Sequence, residues 1–403
     1  MPCCRRGIIS SLLRSSQPTD IALKQAVCAL LLVTLGCATF AGIIAAPCTA
    51  NDSLRFGDLS GMVDAKHLSY SENIKASTIQ IQKNPRNLRA LGTRAYCYFM
   101  IGGDKNFQQM NQDAERMLSI NPECPAALYL RGEALMCLGQ FRAALEDFER
   151  LSRQDPTNAN VYASLGACHT GLKQFSVAVS DYTNAIKYGT KPCPGLYYQR
   201  ALQYYNQFDV ANAKRDVEEG LKSSPNDIWL LFTLARIDVD ENNTQKAIAD
   251  LSKLLQNPRA PKWMFSNRVA LYLSTGQYAL AVKDCDVMIT AKSSLEKAYE
   301  YRAEAFMHLK KYRQAIADFE SLRASHFGWG GSIPCAECYC AIGQFDHAVD
   351  NYSHVIAHER SNVEAYLGRA KMYDKLGKSN LAAQDRLTAA RIHDVYANGQ
   401  ARP

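Results

Sequence analysis

The chain has 403 residues, 47% of them hydrophobic, and a net charge of +7, totals that suit an ordinary folded chain of two or three domains at roughly 150 residues each. Arg5, Arg6, Arg14 and Lys24 against Asp20 place +3 of that charge in the first 25 residues, so the remainder is only mildly basic. No run of five or more basic residues occurs. That excludes the concentrated cationic footprint of a nucleic-acid binder, and no nucleic acid is expected as a partner.

Residues 1–25 form a basic leader. No charged residue occurs from Gln25 to Ala50, and residues 26–46, "AVCALLLVTLGCATFAGIIAA", are long enough at about 20 residues to cross a bilayer as a helix. Their apolar part exceeds the roughly 7 to 15 residues of a signal peptide's apolar region. An uncleaved transmembrane anchor is therefore favoured, although the small residues Ala46, Cys48 and Ala50 leave a cleaved signal open. Basic residues before the span and few after it put the amino end in the cytoplasm and the rest of the chain on the far side of the membrane. The leader "MPCCRRGIISSLLRSSQ", Arg- and Ser-rich with no acid before Asp20, also reads as an organelle-targeting segment. A secreted form and an organelle membrane are the alternatives. Residues 47–87 read as a tether plus a leading helix, "SENIKASTIQIQ" at Ser71 to Gln82, covering one end of the long segment from residue 88 onward.

Within that segment one sentence recurs. "LGQFRAALEDF" (Leu138 to Phe148), "TGQYALAVKDC" (Thr275 to Cys285), "LKKYRQAIADF" (Leu309 to Phe319) and "IGQFDHAVDNY" (Ile342 to Tyr352) share one frame. Gly139, Gly276, Gly343 and Gly377 are separated by 137, 67 and 34 residues, close to four, two and one periods of 34. The period predicts nine units at 88–124, 125–158, 159–192, 194–227, 228–261, 262–295, 296–329, 329–362 and 363–396, with a tail at 397–403. In the second unit Leu128, Arg131, Gly132 and Leu135 recur at helical spacing, Gly139 breaks, and Phe141, Ala144, Phe148 and Leu151 recur again. Each unit is thus a helix, a tight turn and a second helix. Small residues at the eighth place (Gly132, Gly166, Ala201) and at the twentieth (Ala144, Ala178, Ala213) let the two helices approach closely. One such pair cannot bury its apolar face alone, so the units must stack in a row.

The 34-residue period, the pattern G-x-[FY]-x-x-A opening the second helix, the small eighth residue, and Pro122, Pro156 and Pro225 at unit ends resemble the tetratricopeptide repeat family over residues 88–396. Two places depart from the pattern: Phe208 replaces the turn glycine, and "WGGSIP" at Trp329 to Pro334 is a poor helix start. The resemblance implies an all-α, right-handed superhelical solenoid of antiparallel helix pairs, here preceded by an N-terminal transmembrane helix. Its concave inner groove, lined by each unit's first helix, would bind one or more proteins or peptides. The expected function is a protein-interaction scaffold presented at a membrane through residues 26–46, or a secreted or organelle-anchored adaptor or import receptor.

Position 7 is Arg in six units (Arg94, Arg131, Arg200, Arg268, Arg302, Arg369) and position 23 is Asp in eight. The spacing predicts a structural ladder of helix-to-helix ion pairs, either within a unit or bridging two. On the inward places of the middle units stand Tyr129, Tyr198, Tyr205, Trp229, Phe232, Trp263 and Tyr301, aromatic residues of the kind that dominate protein interfaces. These are the candidate groove residues, with ordinary core packing as the competing reading. Chaperone-binding members of the family hold a partner's terminal carboxylates with Lys at position 5 and Asn at position 9. Here those places read Gly92 and Tyr96, Tyr129 and Glu133, Ala163 and Ala167, Tyr198 and Leu202, Phe232 and Arg236, so that clamp is absent.

A reading of a different class puts a metal or redox role on "CAECYC", Cys335 to Cys340, with His347 in the next helix. Cys335 and Cys338 share a helical face but Cys340 points away, so buried thiols are the simpler reading. No phosphate loop, dinucleotide glycine pattern, zinc-protease helix or nucleophile elbow occurs. Neither catalysis, a metal nor a cofactor is expected.

Overall fold

A computed structural model describes residues 69–324 and 332–397. They form an all-helical, tetratricopeptide-like solenoid of nineteen α-helices, with no strand among the described residues. Helix α1 (Tyr70–Lys83) precedes α2 (Leu88–Ile101), α3 (Asp104–Ile120), α4 (Pro125–Cys137), α5 (Phe141–Gln154), α6 (Ala159–Gly171), α7 (Phe175–Tyr188), α8 (Pro194–Asn206), α9 (Val210–Ser223) and α10 (Ile228–Asp240). Then come α11 (Thr244–Leu255), a 3-10 turn (Lys262–Met264), α12 (Phe265–Ser274), α13 (Tyr278–Thr290), α14 (Leu295–His308), α15 (Tyr312–Ala324), α16 (Ser332–Ala341), α17 (Phe345–His358), α18 (Val363–Lys375) and α19 (Ser379–Ala397). They divide into two compact units, one ending at Asn243 and one starting at Thr244. Within each, consecutive helices pack against one another, and first helices of neighbouring repeats, such as α2 and α4, or α8 and α10, also touch.

Local chemistry sets the helix ends. Ser69 and Glu72 form a reciprocal capping box at α1, and Asn87, Asn158, Asp227 and Asn362 accept from backbone N–H groups at the starts of α2, α6, α10 and α18. Pro125 and Pro194 open α4 and α8, where a missing N–H costs nothing. The turns between paired helices need one residue in the left-handed region. Gly139 does this at φ 78°, but Lys173, Phe208 and Lys310 do it at φ 59°, 62° and 57°, at a cost of about 1–2 kcal/mol for a residue with a Cβ. The reward at each is a reverse bond onto an orphan carbonyl: Gln174 N–H to His169 O at 2.8 Å, Asp209 N–H to Tyr204 O at 2.9 Å, Lys311 N–H to Phe306 O at 2.8 Å. The turn geometry thus survives the loss of its glycine at Phe208. Of the poor helix start read at Trp329 to Pro334, residues 329–331 lie outside the described residues, and Ser332, Ile333 and Pro334 stand in α16.

Close approach explains the small eighth residue. A Cβ on Gly132 would lie 2.7 Å from Phe148 Cζ, and one on Gly166 2.8 Å from Tyr182 Cε1, so each glycine is the floor on which the second helix's ring rests.

All six position-7 arginines pair with the position-23 aspartate of their own repeat: Arg94–Asp113, Arg131–Asp147, Arg200–Asp216, Arg268–Asp284, Arg302–Asp318 and Arg369–Asp385. Each is bidentate; in the second repeat Arg131 Nε and Nη2 donate to Asp147 at 2.7 and 2.6 Å. The remaining guanidinium nitrogen often reaches back one repeat, from Arg94 to Thr78, Arg200 to Thr183, Arg268 to Ser252, Arg302 to Asp286 and Arg369 to Ser353. In the third repeat His169 Nδ1 takes the arginine's part, 2.6 Å from Asp181.

The single-pass membrane placement read from the sequence is corrected here. Among the described residues no helix is long and apolar enough to cross a membrane: the longest, α19 with 19 residues, carries Asp385, Arg386 and Arg391, and the next, α3, has 17. The transmembrane reading rested on residues 26–46, which lie outside the described residues.

Asp147 is fully buried against Arg131. Asp147→Ala, which strands the arginine, is expected to cost about 3 kcal/mol, read as a lower thermal midpoint. The double change Arg131→Met, Asp147→Leu is expected to recover most of it; a single variant melting like wild type would show that the ladder contributes nothing.

Candidate functional site

The aromatic residues singled out in the sequence fall in both compact units. Tyr129, Tyr198, Tyr205, Trp229 and Phe232 stand in the first, Trp263 and Tyr301 in the second. Tyr129, Phe232 and Tyr301 are buried, while Tyr198, Tyr205, Trp229 and Trp263 are half-buried.

A tight grouping forms between α8 and α10. Tyr198 and Trp229 lie with ring centroids 6.3 Å apart at 43°. Two turns further along both helices, Arg236 sits 4.7 Å over the Tyr205 ring, a cation–π contact strengthened by the burial of the guanidinium. The Tyr205 hydroxyl donates to Asp240 Oδ2. Burial pushes the Tyr198 phenol up to about 12, and burial first, then the Asp240 bond, raises that of Tyr205, so both hydroxyls stay protonated donors at neutral pH. The face therefore combines two half-open rings with a cation, an acid and a phenol. Arg236 and Asp240 were not singled out from the sequence. Their signal was present: they occupy positions 9 and 13 of their repeat, the same inward places that flagged the rings.

Tyr129 belongs to a different setting. Its ring meets Phe148 of α5 edge-on at 5.8 Å, which is core packing between paired helices. Four residues on, Glu133 of α4 is 1% exposed. Ser164 of α6 donates to its Oε1 at 2.8 Å, and Tyr129 supplies a second side-chain hydrogen bond. Glu133 Oε2 receives none. Burial raises this carboxyl to about 7, with the two hydroxyl donors opposing the rise. An acid thus stands, enclosed, where the chaperone clamp would place asparagine.

The cysteines of the eighth repeat lie in packed surroundings. Cys335 and Cys338 are buried, and burial raises their thiols to about 12 and about 11. Cys340 Sγ lies 3.2 Å from Met372 Sδ, and His347 stacks on Tyr339 at 5.1 Å. Among the described residues no group of three or more His, Cys, Asp or Glu side chains is disposed to hold a metal ion.

These helix pairs define a helical-repeat protein. Residues 125–158 match the tetratricopeptide repeat family model, and that match, on the unit where Gly132, Gly139 and the Arg131–Asp147 pair are all present, supports the tetratricopeptide repeat family for this chain. It is 27% identical over 121 residues to stress-induced-phosphoprotein 1 of Caenorhabditis elegans, covering 30% of this chain and 38% of that protein. It is 23% identical over 222 residues to human DnaJ homolog subfamily C member 7, covering 54% and 40%, so the chain spans about two-fifths of the length of these relatives. A solved tetratricopeptide repeat protein from Parabacteroides merdae is similar at 17% identity with a TM-score of 0.43, over 64% of this chain and 93% of that one.

Glu133 makes stability pH-dependent. Its folded value, raised from 4.5 to about 7, lies above that of the unfolded chain, so the contribution of the neutral form is complete below about pH 4.5 and is lost as pH rises through about 7. The whole effect is roughly 3 kcal/mol. Urea unfolding at pH 5 and pH 8.5 is expected to show Glu133→Gln gaining on wild type by that order at the higher pH. An equal difference at both values would mean the carboxyl is ionised in the fold.

Proposed function

We propose that the chain is a non-catalytic protein-interaction scaffold, an array of repeats over residues 88–396 with α1 covering its first end. Of the groove residues read from the sequence, Tyr129, Tyr198, Tyr205, Trp229, Phe232, Trp263 and Tyr301, those half-buried on the α8–α10 face of the first unit, Tyr198, Tyr205 and Trp229, form the binding surface. The observation that carries this is the half-buried Tyr198–Trp229 pair beside Arg236, Tyr205 and Asp240. Large rings with polar groups at their edge bury apolar area and fix orientation at once, which is what the anchoring residues of an interface do. The partner segment that suits it offers one or two apolar side chains to Tyr198 and Trp229 and a polar group to Arg236 and Asp240. Relatives whose names associate them with chaperones, such as the Hsp70-Hsp90 organizing protein 1 of Glycine max, 25% identical over 103 residues, favour a protein partner. The enclosed Glu133 and the missing Lys and Asn positions argue against a terminal carboxylate as the group recognised here.

A photocrosslinking residue placed at Trp229 is expected to capture a partner in cells. Combining Tyr198→Ala with Trp229→Ala is expected to weaken that partner at least about tenfold, while the circular dichroism melt stays cooperative. A well-folded double variant that keeps the same partner at the same affinity would return these rings to the core.

A further inference from the structure

A cleft of about 760 Å³ opens between α1, the turn at residues 84–87, and the end of α3. Arg86, Arg94 and Arg116 line it together with Ile81, Pro85 and Ile120, and no acidic residue is among its walls. Arg94 is already neutralised by Asp113, at 2.8 and 2.6 Å, and tied to Thr78 at 3.0 Å. Arg86 and Arg116 are exposed, and among the described residues neither side chain has an ion-pair or hydrogen-bond partner.

The next junction along the chain shows what this arrangement lacks. There the turn reads Asn121, Pro122, Glu123, against Asn84, Pro85, Arg86 here. Both are built alike: Glu123 N–H donates to Asn121 Oδ1 at 3.1 Å, and Arg86 N–H to Asn84 Oδ1 at 3.1 Å. Arg150 of α5 holds the place that Arg116 holds in α3, eight residues before the end of its repeat. Arg150 Nη2 bonds Glu123 Oε1 at 2.5 Å and the Pro122 carbonyl at 2.6 Å, and Gln154 Nε2 bonds Glu123 Oε2 at 2.9 Å. At the first junction the glutamate of that bridge is replaced by Arg86, so a second cation faces the first across an open cleft.

We infer that this cleft binds the carboxylate side chain of an acidic segment of a partner protein, seated between Arg86 and Arg116 where the chain's own second junction places Glu123. The volume far exceeds that of a lone anion, and Ile81, Pro85 and Ile120 provide an apolar wall for a residue next to the acid. Two guanidiniums converging on one carboxylate give charge-assisted bonds that a neutral side chain does not make. The cleft is built entirely by residues 78–120 and is separate from the α8–α10 face, so either reading stands or falls without the other.

The test uses the full chain and an acetylated, amidated Gly-Glu-Ile-Glu-Gly peptide, with the Gly-Gln-Ile-Gln-Gly peptide and inorganic phosphate as separate arms, followed by titration calorimetry. The acidic peptide is expected to bind, to weaken with added salt, and to outbind the glutamine peptide by at least about tenfold. Arg86→Glu, which recreates the bridge of the second junction with Arg116, is expected to abolish that preference without lowering the melting temperature. Arg116→Gln is expected to weaken the acidic peptide similarly and supplies the answer should the first variant misfold. Equal affinity for the two peptides, phosphate binding as tight as that of the acidic peptide, or undiminished binding by both variants would overturn the assignment.

Discussion

A guanidinium clasped edge-on by a carboxylate from the paired helix is the constraint on which the repeats depend. The arrangement appears six times, with both acceptor oxygens used and the acid always the more deeply enclosed partner. Such a pair tolerates one geometry, because a displaced carboxylate would leave an enclosed charge unsatisfied. In the repeats that carry it the pair fixes one relation between the two helices, and a small residue beside it, such as Gly132 under Phe148, permits the close approach.

Much of this was legible in the sequence, because the features involved recur at a fixed interval. Helix pairs, turns and small crossing residues each repeat every 34 residues, and a pattern repeated nine times overrides local ambiguity. What the sequence left open was the partner of each arginine, since an aspartate stands in the repeats on either side. The structure resolves it: the aspartate is always the one sixteen residues ahead, or nineteen in the first repeat with its longer turn. Phe208 and the lysine turns escaped a rule framed around glycine because hydrogen-bond geometry, rather than residue identity, closes the turn. The membrane placement went wrong for a different reason. Apolar run length is a property of one segment, and nothing in the described helices repeats it.

The candidate site was less legible than the fold. Periodicity picked out seven aromatic residues on equivalent places, yet equivalent places do not have equivalent surroundings. Tyr129 and Tyr198 share position 5, and one lies edge-on against a core phenylalanine while the other leans on a half-open tryptophan. Polar neighbours matter as much as the rings. Arg236, Asp240 and Ser164 each occur once in their register, and the reading of the inward places looked for rings rather than for charged or hydroxyl side chains. They acquire meaning only when packing shows which of them are enclosed.

The third nitrogen of the ladder arginines carries a consequence of its own. By reaching back to a hydroxyl or carboxylate of the helix before their repeat, five of the six arginines join three helices rather than two. Stability within a compact unit is then a chain of nearest-neighbour links. A partner that stiffens one of those five repeats also holds the arginine that grips the helix before it, so order gained there is passed to that neighbour. The same linkage runs in reverse on denaturation, when a repeat that loses its neighbour loses one of the bonds that kept its own arginine in place.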